Sequence, residues 1–162
     1  REIFLAAYGK NFAAGESHNT TFAFNGVTAT AALAALELAD DAMVERCEAV
    51  GDSLRGALRE AVGAHPLVAD IRGEGLLCGV QLKRIEHPWL SFEHFGYPEL
   101  ADQSVIAPLV CHRLYPKGFF AFSCGHDWSV LRIQPRENIE METLQAFAEA
   151  VREALDFIEE LA

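Results

Sequence analysis

The chain has 162 residues, of which 51% are hydrophobic, 10% aromatic and 23% charged, a balance that sustains one globular domain or two small ones and excludes disordered, collagen-like and coiled-coil classes. Thirteen Lys and Arg against 24 Asp and Glu give a formal net charge of -11, so a nucleic-acid backbone or an anionic membrane surface would be repelled. No apolar run reaches the roughly 20 residues that cross a bilayer, no signal-peptide pattern is visible, and Cys47, Cys78, Cys111 and Cys124 are scattered as reduced thiols would be, which leads us to expect a cytoplasmic protein.

The first residue is Arg1, and the sequence runs straight into element-like segments, so we expect part of a longer chain. Gly26 to Ala39 is dense in Ala and Leu and apolar on nearly every side, which predicts a buried helix. Asp40 and Asp41 offer an N-cap. Met43, Cys47, Val50, Leu54, Leu58 and Val62 then recur at three- and four-residue steps, one stripe of a long amphipathic helix that Gly63 and Pro66 end. Leu67 to Ile71 and Leu76 to Leu82 alternate as half-buried strands, with Arg72-Gly73-Glu74-Gly75 as the connection between them. Lys83 to Pro98 breaks every period yet holds Trp89, Phe92, Phe95 and Tyr97, a long loop expected at a partner surface or an active-site rim.

Leu100 to Tyr115 reads as helical, with Pro108 either kinking the helix or sitting in the first turn of a shorter one. Phe119 to Cys124 and Ser129 to Gln134 read as two more strands, and Leu144, Phe147, Val151, Leu155 and Ile158 mark a final amphipathic helix. The order predicts an α+β fold, a small antiparallel sheet with helices packed on one face. The leading helix lacks a polar face and so calls for a covering body, which predicts a homodimer or higher even assembly.

Several segments carry candidate chemistry. Thr20, Thr21 and Asn25 precede a helix start, where free N–H groups favour an anion such as phosphate, although Thr and Asn there also serve as plain caps. Arg72 between glycines reads first as backbone turning rather than an anion site. The histidines lack zinc-helix spacing, and Ser123-Cys124-Gly125-His126-Asp127 imitates a catalytic cluster only in sequence, since immediate neighbours do not align as a triad. We therefore expect no metal site and discount that cluster as catalytic.

His18-Asn19-Thr20-Thr21-Phe22-Ala23-Phe24-Asn25, Arg72-Gly73-Glu74-Gly75-Leu76-Leu77-Cys78-Gly79 and Leu131-Arg132-Ile133-Gln134-Pro135 resemble, in order, three motifs of the class III aminotransferases, pyridoxal-phosphate enzymes of fold type I. The resemblance implies the C-terminal portion of an enzyme that transfers an amino group between an amine or amino acid and a keto acid, with residues 1–40 the end of its large cofactor-binding domain and 41–162 its small C-terminal α+β domain. It implies that Thr21, with Thr20 beside it, contacts the phosphate of pyridoxal 5'-phosphate in the other subunit, and that Arg132 binds a substrate carboxylate. The Schiff-base lysine of the family falls before Arg1, so the chain alone is expected to be inactive. Ala23 and Phe24 stand where the family has glycines, Arg136 and Glu137 where it has Pro and Leu, and Glu140 where it has a Ser or Thr cap. Two other readings remain open: a stand-alone α+β binding or regulatory module, with Thr20 and Thr21 as a cap, and a parent of the same fold that is a mutase, racemase or decarboxylase.

Overall fold

The computed structural model describes residues 25–161, apart from 86, 88, 89, 102 and 126. By its contacts the chain divides into two compact units, 1–40 and 41–162. In the first, helix α1 (Gly26–Leu38) starts at a reciprocal cap. The Asn25 side chain accepts from the N–H groups of Val27 and Thr28, and the Thr28 hydroxyl accepts from the Asn25 N–H. Contrary to the burial expected of so apolar a helix, none of its residues is buried, and Leu33 and Leu36 are 65% and 70% exposed. An apolar stripe on every side can be covered only by partners on every side.

The second unit is an α+β layer. Helix α2 (Asp41–Val62) leads into strands β1 (Val68–Glu74) and β2 (Leu77–Leu82). A 3-10 turn at Pro98–Leu100, helix α3 (Ile106–Leu114) and a 3-10 turn at Tyr115–Lys117 follow, and β3 (Phe122–Cys124), β4 (Asp127–Ile133) and helix α4 (Met141–Leu161) complete it. The strands form one antiparallel sheet in the order β1-β2-β4-β3. Ile71, Cys78, Val80, Leu82, Leu131 and Ile133 are buried against Leu54, Leu58 and Val62 of α2, Val110 and Leu114 of α3, and the apolar stripe of α4. The other face of the sheet carries no helix among the described residues.

Several boundaries differ from the sequence reading: the helix expected over Leu100 to Tyr115 spans only Ile106–Leu114 and the strand expected from Phe119 starts at Phe122, while β1 and β4 run as far as their pairing does and not only to the neighbouring glycine. β1 continues through Arg72, Gly73 and Glu74, and the turn is Gly75-Leu76, with Gly75 in the left-handed region (φ 49°). Likewise β4 begins at Asp127. Pro108 lies in the first turn of the shorter helix α3.

The β1–β2 hairpin is fastened to α2 at close range. A Cβ at Gly51 would lie 1.8 Å from the Gly75 carbonyl oxygen, so only glycine admits this approach. Arg55, 7% exposed, donates to that carbonyl at 2.8 Å and to Asp52 at 2.6 Å, and Arg59 donates to the Ile71 carbonyl at 3.2 Å. In the turn after α2, His65 accepts the Leu67 N–H through Nδ1, so in the neutral ring Nε2 carries the proton; it faces Asp156 and Glu159 of α4 at 3.3 and 3.4 Å.

Candidate functional site

Antiparallel pairing places directly opposed residues on one face of the sheet. Arg72 on β1 is opposite Gly79 on β2, Gly79 is opposite Arg132 on β4, and Arg132 is opposite Phe122 on β3. The row Arg72, Gly79, Arg132, Phe122 thus crosses the face away from the helices, and Gly79 leaves a gap between two arginines. A cleft of about 510 Å³ opens here, with Arg72, Glu74, Asp127 and Arg132 among its polar lining and Leu77 and Val130 among its apolar lining.

Arg132 is exposed, on a strand whose neighbouring residues Leu131 and Ile133 are buried in the core. Alternation therefore aims its guanidinium into the cleft, and a rigid strand fixes its base. Among the described residues it has no ion pair and no side-chain hydrogen bond, so the whole donor fork is free for a planar anion. Arg72 is differently placed. Its guanidinium donates to Asp70 at 3.2 Å and to Gln81 at 3.0 Å, and the Gln81 amide donates to the Ser129 hydroxyl. Ser129 in turn donates its hydroxyl and, at 3.0 Å, its N–H to the Asp127 carboxylate. This chain of side chains crosses three strands and holds Arg72 in one orientation. The Ser129 hydroxyl, more than any other group, holds the Asp127 carboxyl below the usual carboxylate range, with burial acting in the opposite direction.

Cys78 also lines the cleft, but burial holds its thiol above the usual value against the opposing pull of Arg55 and Arg59. Burial likewise raises Cys111 to about 11. Both are neutral thiols at physiological pH and serve as walls rather than nucleophiles.

At one end of the outer face Phe92, 8% exposed, packs edge-on against Trp128 at 4.6 Å between ring centroids. The 83–98 loop is thereby tied to the strand that carries Arg132, while Phe95 and Tyr97 stay about half exposed. Of the residues singled out from sequence, Thr20 and Thr21 lie outside the described residues, and Arg132 is at the cleft. Arg72, read from sequence as part of a turn, lies within a strand and faces the same cleft. The signal that would have found it is parity: with the turn at Gly75-Leu76, Arg72 and Gly79 pair, and both share a face with Arg132.

The described residues do not by themselves fit pyridoxal phosphate. Lys117 is paired with Glu153, Lys83 is exposed at the start of the loop, and neither lines the cleft, whose cations are both arginines. What they fit is a carboxylate.

Comparison with known proteins bears on the whole chain. An acetylornithine aminotransferase of Mycobacterium bovis is 52% identical over 66 residues, 40% of this chain and 16% of that protein. A leucine/methionine racemase of Thermococcus litoralis is 32% identical over 145 residues, 88% of this chain and 30% of that protein. The crystal structure of a Bacillus anthracis aminotransferase superposes with a TM-score of 0.63 at 28% identity, covering 97% of this chain and 34% of that one. The chain thus spans about a third or less of the proteins it resembles. Residues 4–155 match the sequence profile of the class-III aminotransferases, and with the small antiparallel sheet and its outward arginine already in view, the chain belongs to that pyridoxal-phosphate-dependent family.

Proposed function

We propose that the chain is the C-terminal portion of an aminotransferase that moves an amino group between an amine or amino acid and a keto acid, and that it contributes the substrate-carboxylate site. The observation that carries this reading is Arg132: an unpaired guanidinium, on a core-anchored strand, facing a cleft in a chain of formal net charge -11. A carboxylate of the substrate accepts two parallel hydrogen bonds from the fork, which fixes both the position of the acid group and its plane. The aromatic loop at 83–98, pinned through Phe92 to Trp128, is proposed to shape access to the cleft. Thr20 and Thr21 are proposed as phosphate contacts of the cofactor on the strength of the motif alone. The exposed apolar helix α1 supports a homodimer, and four free cysteines support a cytoplasmic setting. No helix among the described residues is long and apolar enough to cross a membrane.

A second reading has one observation in its favour: the racemase relative aligns with 88% of this chain. Amino-acid racemisation requires the same grip on a carboxylate, so Arg132 keeps its role in both. The test is Arg132→Lys in the protein that contains this chain. Replacing a fork with a point charge should raise the KM for carboxylate-bearing substrates about tenfold with little change for a simple amine donor. Equal losses for the two kinds of donor would assign Arg132 a structural role. Interconversion of amino-acid enantiomers without any keto-acid acceptor would favour the racemase.

A further inference from the structure

We propose that His65 is a proton-operated switch in the turn between α2 and β1: the neutral ring holds the Leu67 N–H, and the protonated ring gives that bond up, turns to two carboxylates of α4 and loosens the start of the 83–98 loop. The inference does not depend on the role given to Arg132.

The His65 side chain is 7% exposed and sits between the turn that follows α2 and the last two turns of α4. Its two nitrogens are used differently. Nδ1 accepts the Leu67 N–H at 3.1 Å. Nε2 is buried without a hydrogen-bond partner, and Oδ1 of Asp156 and Oε2 of Glu159 lie just beyond good hydrogen-bond length, at 3.3 and 3.4 Å. Both carboxylates belong to α4. Among the described residues, α2, the turn and β1 add no further ion-pair partner to the ring. Arg152 takes the other oxygen of Asp156, Oδ2, at 2.6 Å and leaves Oδ1 open toward His65.

A proton added to this ring must go to Nδ1, because in the neutral form Nε2 already carries one. Nδ1–H would then point at the Leu67 N–H, two donors 3.1 Å apart, and that bond is lost. The cationic ring at the same time gains charge-assisted attraction to Asp156 and Glu159 on its other edge. Loss on one side and gain on the other both draw the ring from the turn toward α4. The consequence passes through Leu67. Its carbonyl accepts the N–H of Lys83, the first residue of the aromatic loop, at 2.8 Å, so the residue that loses its anchor is the one that ties down the loop's start. Farther along, Phe92 against Trp128 holds the loop independently of His65. Imidazole is the side chain that changes charge between about pH 5 and 8, which sets the range over which the switch is sought.

The test is an NMR titration of the nitrogen-labelled 162-residue chain over that range. The ring nitrogen shifts of His65 report its protonation, and amide hydrogen exchange, corrected for the intrinsic pH dependence of exchange, reports the two backbone bonds. Protection of the Leu67 amide is expected to fall about tenfold as the ring is protonated, the scale of one lost hydrogen bond. Lys83 should fall with the same midpoint, and Leu131, in the buried strand β4, should not change. His65→Asn offers a carbonyl oxygen to the Leu67 N–H at every pH, in the manner of an Asx turn, so its protection should stay high and the step should vanish. Leu67 protection that is constant across the His65 titration, a ring that stays neutral throughout, or a step that survives in His65→Asn would overturn the switch. A Leu67 step that Lys83 does not follow would overturn the link to the loop. The titration of the unmodified chain decides the matter by itself, so the test survives a variant that does not fold.

Discussion

Asp127 shows how a single side chain is set by its neighbours at the edge of the cleft. The Ser129 hydroxyl donates to its carboxylate and so favours the charged form, which lowers the pKa in the folded protein below its value of 3.8 in the absence of such partners. A depressed folded-state pKa stabilises the fold at pH values above the unfolded pKa, and that contribution is lost as the pH falls through the lower folded-state value. Ser129→Ala should therefore raise the titration midpoint of Asp127, measured from its side-chain carbon shift, and should loosen Arg72 through Gln81. An unchanged midpoint would place the cause of the depression elsewhere. The Asp127–Ser129 contact is local, two residues apart, but its link to Arg72 is not visible in sequence order: Gln81 and Ser129 are 48 positions apart and meet only because β2 and β4 are neighbours in the sheet.

Helix α2 carries two internal glycines with opposite duties. Gly51 is buried beneath the Gly75 carbonyl, where a Cβ would come within 1.8 Å of backbone oxygen. Gly56 is exposed and has nothing within reach. Gly51→Ala should force the hairpin away from the helix and cost about 2 kcal/mol or more. Gly56→Ala should gain about 0.5 to 1 kcal/mol from the unfolded chain's lost freedom. Urea unfolding midpoints of the two variants should move in opposite directions, and a parallel shift would refute the close-approach argument. The amphipathic stripe of α2 identifies a helix over this segment but treats the two glycines alike. Only the second element, the hairpin arriving over Gly51, distinguishes them.

At the scale of the molecule, α1 is an apolar element without a single buried residue. Leu33 and Leu36 lie three residues apart on one helical face and are mostly exposed. In the homodimer we propose, they are covered by a second copy. Sedimentation velocity of the 162-residue chain should show a dimer, and Leu33→Glu with Leu36→Glu should shift it to monomer without changing the circular dichroism of the 41–162 unit. A wild-type chain that stays monomeric at high concentration would count against the assembly. The chain order of helices and strands and the stripe of α4 were legible in the sequence, because helix periodicity acts within one or two turns of chain, whereas proline sterics left two placements for Pro108, of which the structure has the first turn of a shorter helix. The three motifs that resemble the class III aminotransferases were legible for a related reason: each is a short contiguous run that keeps its residue spacing. Strand pairing is different. It decided that Arg72 belongs to β1, that Gly79 separates it from Arg132, and that Gln81 reaches Ser129, and each of these depends on which residues face one another across a sheet. A shift of one residue in that register would turn both arginines toward the core, so the cleft is a property of the paired sheet, and the local sequence determines only the residue types available to line it.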